Sequence, residues 1–85
     1  VAVLGVYPNP VMNIGVLHYA IDKTQDLSIT IFDETGKQLQ TLFNAKQQVG
    51  IYSLKFNASQ LPNGAYICQF KTATGTVSKK IVVMK

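Results

Sequence analysis

Arginine and tryptophan are absent from this 85-residue chain, and cysteine and histidine occur once each, as Cys68 and His18. A single cysteine cannot pair within the chain, so the fold is held by packing rather than by disulfides, and a metal site built from paired cysteines is excluded. Without arginine, the chain lacks the side chain suited to bidentate reading of bases and phosphates, which argues against sequence-specific nucleic-acid recognition. One histidine leaves no base for a Ser/His/Asp or Cys/His nucleophilic set beyond His18 itself. His18 falls on the strand face opposite Leu17, Tyr19 and Ile21, which is the solvent side.

Acidic residues are scarce and unevenly placed. Asp22, Asp26, Asp33 and Glu34 are the only four, all within residues 1–34, where Lys23 is the sole counter-charge and the local balance is −3. Residues 35–85 carry seven lysines and no acid. Four scattered carboxylates without a loop motif supply too few oxygens for calcium. Asp33 and Glu34 sit in a turn, where hydrogen bonding to the local backbone accounts for the aspartate. No glycine-rich phosphate loop is present, and the reading is of a domain that is not an enzyme, with no cofactor and no metal. The opening apolar run, Val1 to Tyr7, is too short for a signal-peptide core with its flanks and far too short for a membrane span.

At 47% hydrophobic and 14% charged residues, the composition is that of a folded domain and far from that of a disordered segment. A chain of this length makes one domain, residues 1–85, that buries roughly 60–65% of its unfolded surface. It starts in mid-strand, as a piece cut from a longer precursor would.

Apolar and polar residues alternate almost throughout, and no window sustains helical spacing, so the chain is all-β. Leu17, Tyr19 and Ile21 share one face of a strand; Leu27, Ile29 and Ile31 share one face of the next, after the polar break Asp22–Gln25. Asp33-Glu34-Thr35-Gly36-Lys37 reads as a hairpin turn in which Gly36 supplies positive φ. It leads into a strand near 37–45, where Leu39, Thr41 and Phe43 alternate with Gln38, Gln40 and Leu42, a pattern fit for a sheet edge. Tyr52, Leu54 and Phe56 begin a further strand, and the turn formers from Asn57 to Gly64 end it, with Pro62 lacking an amide donor. Tyr66, Cys68 and Phe70 then turn at Ala73-Thr74-Gly75 and return as Val77, Ile81 and Val83. With the opening segment this makes seven short strands, which predicts a seven-stranded antiparallel immunoglobulin-like β-sandwich, with a small barrel as the competing architecture. Tyr7-Pro8-Asn9-Pro10 reads as a stiff crossover from one sheet to the other.

In order, Tyr7-Pro8-Asn9-Pro10, Asp33-Glu34-Thr35-Gly36-Lys37, Gly50-Ile51-Tyr52, Leu61-Pro62-Asn63-Gly64-Ala65-Tyr66, Gly75 and the terminus Lys79-Lys80 to Lys85 resemble the type A C-terminal sorting domain of the Bacteroidetes type IX secretion system. The resemblance covers essentially the whole chain. It implies a tail on a secreted or surface-displayed cargo, carried through the periplasm and recognised by the outer-membrane secretion machinery. It further implies removal by a sortase-like protease upstream of Val1, with the cargo in many members joined to an anionic lipopolysaccharide at the cell surface or released. Cys68 stands where such domains more usually carry an aliphatic residue. On this reading Lys79, Lys80 and Lys85 are the recognition residues, Gly64 and Gly75 shape the last hairpin, and Tyr66 anchors it. Exposed edge strands leave self-association open. The alternative function is a non-catalytic fibronectin-like or immunoglobulin-like binding or spacer module that holds glycan or envelope.

Overall fold

A computed structural model describes all residues, Val1–Lys85. It contains seven strands: β1 (Ala2–Tyr7), β2 (Ile14–Ile21), β3 (Gln25–Phe32), β4 (Gln38–Gln47), β5 (Gly50–Asn57), β6 (Gly64–Thr72) and β7 (Gly75–Val83). They form two sheets, a three-stranded one in the order β1-β2-β5 and a four-stranded one in the order β4-β3-β6-β7. Every strand pairing is antiparallel. Two separate sheets make a sandwich rather than the competing barrel. The order is immunoglobulin-like, with the fourth strand beside the third instead of beside the fifth.

Alternation decides what is inside. Leu17, Tyr19 and Ile21 of β2 are buried, as are Leu27, Ile29 and Ile31 of β3 and Tyr66, Cys68 and Phe70 of β6, each set on the inner face of its sheet. The ring of Tyr19 lies between Tyr52, stacked at 5.6 Å, and Phe70, tilted at 5.5 Å. Its hydroxyl donates to Gln47 Oε1 at 3.0 Å, so the phenol is satisfied, and burial, then the neighbouring Tyr52, raises its pKa. Gly15 is required by packing: a Cβ there would stand 2.4 Å from the ring of Phe56, its partner on β5.

Two expectations are corrected. Strict alternation fails in β4, because its pairing with β3 slips twice, between Ile29 and Thr30 and between Ile31 and Phe32. Each slip places an extra β4 residue against the ladder, as a β-bulge does. Leu39, Leu42 and Phe43 therefore pack against the core, while Thr41 is exposed. The second correction concerns Tyr7-Pro8-Asn9-Pro10, which joins β1 to β2 within one sheet and is not a crossover. Both X-Pro peptide bonds are cis. On its way the segment touches the other sheet, since Val11 forms a parallel bridge with Val83.

Seven alternating strands put the chain ends at opposite poles of a body 36 × 23 × 16 Å. At the pole reached by the end of β7 lie the 8–13 loop, the 33–37 turn and the 58–63 loop. Val1 lies at the other pole, with the 22–24 turn and the Ala73-Thr74 turn.

Candidate functional site

The pole at the chain's end is a stitched structure. Val11 N donates to Val82 O at 2.8 Å and Met84 N to Val11 O at 2.9 Å, so the first loop runs along the last strand. Ala58 N donates to Asn13 O at 2.7 Å, tying the third loop to the first. Lys85 closes the set: its backbone N donates to Asn63 Oδ1 at 3.0 Å, and its Nζ donates to Ser59 O and to Leu61 O, each at 2.7 Å. Val11 and Leu61 are buried beneath these bonds.

Tyr66, at the start of β6, donates its hydroxyl to Pro62 O four residues upstream. This is the tyrosine corner of sandwich folds: the ring fills the core while its hydroxyl fixes the loop that enters the strand. Leu61-Pro62-Asn63-Gly64-Ala65-Tyr66 thus has a structural task, in which Leu61 packs inward, Pro62 offers the acceptor and Asn63 receives the Lys85 amide.

The 33–37 turn is held by one carboxylate. Asp33 Oδ1 accepts from Thr35 Oγ1 at 2.6 Å, Thr35 N at 2.9 Å and Lys37 N at 3.0 Å. The Thr35 hydroxyl first, then the Lys37 amide, holds the Asp33 carboxyl below its usual range. Gly36 takes φ +88°, the left-handed conformation expected of it. Lys37 contributes its backbone to the turn. Asp33 and Glu34 also edge a hollow of about 250 Å³ shared with Asn63–Tyr66. No group of three or more His, Cys, Asp or Glu side chains comes together to hold a metal ion.

The second feature is a groove along the open seam of the sandwich. β1 and β7 are edge strands of different sheets and lie on the same side. Leu4, Gly5, Val6, Tyr7, Asn9, Lys79 and Lys80 line a groove of about 280 Å³ between them. The register gives the two lysines different faces. Lys80 stands opposite Ile67, on the outer face, and Lys79 stands opposite the buried Cys68, at an inward-facing position. An inward charge on an edge strand guards that edge against pairing. Both lysines are exposed. The Cys68 thiol is inert by comparison: burial pushes its pKa up to about 12.

The three lysines read as one cluster are therefore two sites. Lys79 and Lys80 line the groove with Tyr7 and Asn9, from opposite faces of β7, whereas Lys85 is bonded into the terminal pole. Pro8 and Pro10 are exposed in the first loop. Gly64 opens β6 at the terminal pole, and Gly75 opens β7 at the opposite one. Sequence reasoning missed Leu4, Val11 and Asn63. Asn63 carried a signal, its place between Pro62 and Gly64; Val11 and Leu4 carried none. His18 lies partly exposed on the outer face of β2, its Nδ1 2.9 Å from Ser53 Oγ and its ring edge-on to Tyr7.

The family model of the secretion system C-terminal sorting domain matches residues 5–84. No curated protein matches the chain.

Proposed function

Since the chain belongs to the family of secretion system C-terminal sorting domains, and so is a C-terminal sorting signal for type IX secretion, we propose that its groove lysines are the part read by the machinery. The family implies an N-terminal cargo and export across the outer membrane to the surface or the medium. It is not known as catalytic.

The observation that supports this assignment is the different employment of the lysines. Lys85 has its ammonium spent on two loop carbonyls, while Lys79 and Lys80 stand exposed on an edge strand in a groove that no carboxylate lines. A strand that is already ordered adds no backbone ordering cost on binding, and its exposed charges favour fast, selective encounter. Residues 1–85 act as one domain of a longer precursor. The cargo joins at the Val1 pole, away from the stitched pole, and a sortase-like protease cuts upstream of Val1 after the periplasmic domain has been captured.

The test fuses residues 1–85 to an inert periplasmic protein in a host with the secretion system. The wild-type fusion reaches the surface, and the Lys79→Glu/Lys80→Glu fusion accumulates in the periplasm as a folded protein. Normal export of the double variant overturns the assignment of the lysines; failure of the wild-type fusion overturns the sufficiency of residues 1–85. Glycan binding finds no support in the surface. A platform needs several aromatics on one open face, yet Tyr19, Phe56, Tyr66 and Phe70 are buried and Tyr7 is the only aromatic among the exposed large hydrophobics.

A further inference from the structure

The geometry points to the β1 side of the seam groove as a strand-addition site for an extended acidic segment of a partner protein. This rests on the sorting reading and gives it a partner chemistry. β1 has β2 on one side and no strand on the other, so a row of its amide and carbonyl groups faces the groove. Past the bulge at Leu4, Gly5–Tyr7 presents about 10 Å of such edge. An extended peptide satisfies alternating donors and acceptors in a way that a lipid or saccharide headgroup cannot.

The opposite wall excludes the competing edge and selects the charge. β7 cannot serve as the acceptor along its length, because Lys79 points inward in mid-strand and Val11 already bonds the backbone beside Val83. What β7 contributes is two exposed lysines in the groove's lining, Lys79 from its inner face and Lys80 from its outer face. The lining contains no acid, and Asp33 and Glu34 line other hollows. An incoming strand paired to β1 turns every second side chain toward the facing sheet, so acids at i and i+2 are presented on the side of Lys79, the inward-facing lysine, while Lys80 adds positive charge at the groove's outer rim. A second copy of this chain fits badly: the charged residues on its other edge strands are Lys46 on β4 and Lys55 on β5.

The experiment titrates the purified domain with a short synthetic peptide of alternating Glu and Val, followed by amide chemical shifts. The expected shifts cover Leu4–Tyr7 and Lys79–Lys80, and binding weakens with salt. Lys79→Glu/Lys80→Glu weakens it at least about tenfold, while Lys55→Glu leaves it unchanged. Shifts confined to β4 or β5, equal binding of an alternating Lys and Val peptide, or no binding overturns the inference. So does displacement of the peptide by anionic vesicles of equal charge, or by raising the domain's own concentration. Should the double reversal unfold, Lys79→Gln/Lys80→Gln and the salt dependence decide the same question. Export of the fused reporter is scored separately, so the sorting reading survives if the peptide result fails.

Discussion

Lys85 Nζ donates to the Leu61 carbonyl at 2.7 Å, joining residues 24 apart in sequence across the terminal pole. The same ammonium bonds Ser59 O, and the backbone of Lys85 bonds Asn63. Lys85→Met keeps the stem and removes the charge. Because the ammonium remains partly in water, the expected loss is about 1 kcal/mol, or about 4–8 °C in Tm for a domain of this size. Urea unfolding checks the magnitude, and faster amide exchange at Leu61 locates it. Unchanged stability with lost export would make Lys85 a recognition residue instead.

Tyr66→Phe tests the corner. The ring is buried and its packing is kept, so the change isolates the hydroxyl and leaves the Pro62 carbonyl without its donor. The expected cost is about 1–1.5 kcal/mol, read as a lowered urea midpoint with an unchanged slope. A variant as stable as wild type would show that the loop is held by Leu61 and Lys85 alone.

The strands were legible because burial follows a period of two, as in Leu17, Tyr19 and Ile21, and the loops because Pro62-Asn63-Gly64 and Gly36 have few other uses. The β4 bulges were not. A bulge is a register event between strands, and nothing in Gln38–Phe43 alone says that Leu39 and Leu42 will be the extra residues. The lysines were legible as an acid-free group but not as two sites. Lys80 and Lys85 are five residues apart, about 17 Å along an extended strand, so their separation was latent in the strand assignment. Which edge each one meets depends on sheet order and on the Val11 bridge, and both are long-range facts.

The 33–37 turn predicts a pH dependence. The carboxyl of Asp33 has a lower pKa folded than unfolded, so its ionised form stabilises the native state. That contribution is present above the unfolded carboxylate range, about 4, and is lost as pH falls through the lowered folded value. Asp33→Asn is therefore expected to be less stable than wild type at neutral pH, with the gap closing in acid below that range. Thermal melts from pH 7 down to pH 2 check this, and Thr35→Val is expected to reproduce part of the gap, because the Thr35 hydroxyl is the largest cause of the shift. A gap that stays constant across the series would place the effect in the turn's packing rather than in the charge.

Cys68 provides a probe of the core without disturbing it. The residue is fully buried between sheets, and its thiol pKa of about 12 leaves almost no thiolate at neutral pH. Native protein is expected to resist maleimide or disulfide reagents and to react in urea at a rate set by the unfolded population. Cys68 faces Ile31 on β3 and Lys79 on β7 in register, so labelling reports on the seam between β6 and its neighbours. Cys68→Val is close in volume and apolar, and its expected cost is below about 1.5 kcal/mol. Rapid labelling under native conditions, at a rate unrelated to global unfolding, would show instead that β7 separates from β6 on its own. In that case the groove lysines would ride on a mobile edge, and their rigidity could not be the source of selective binding.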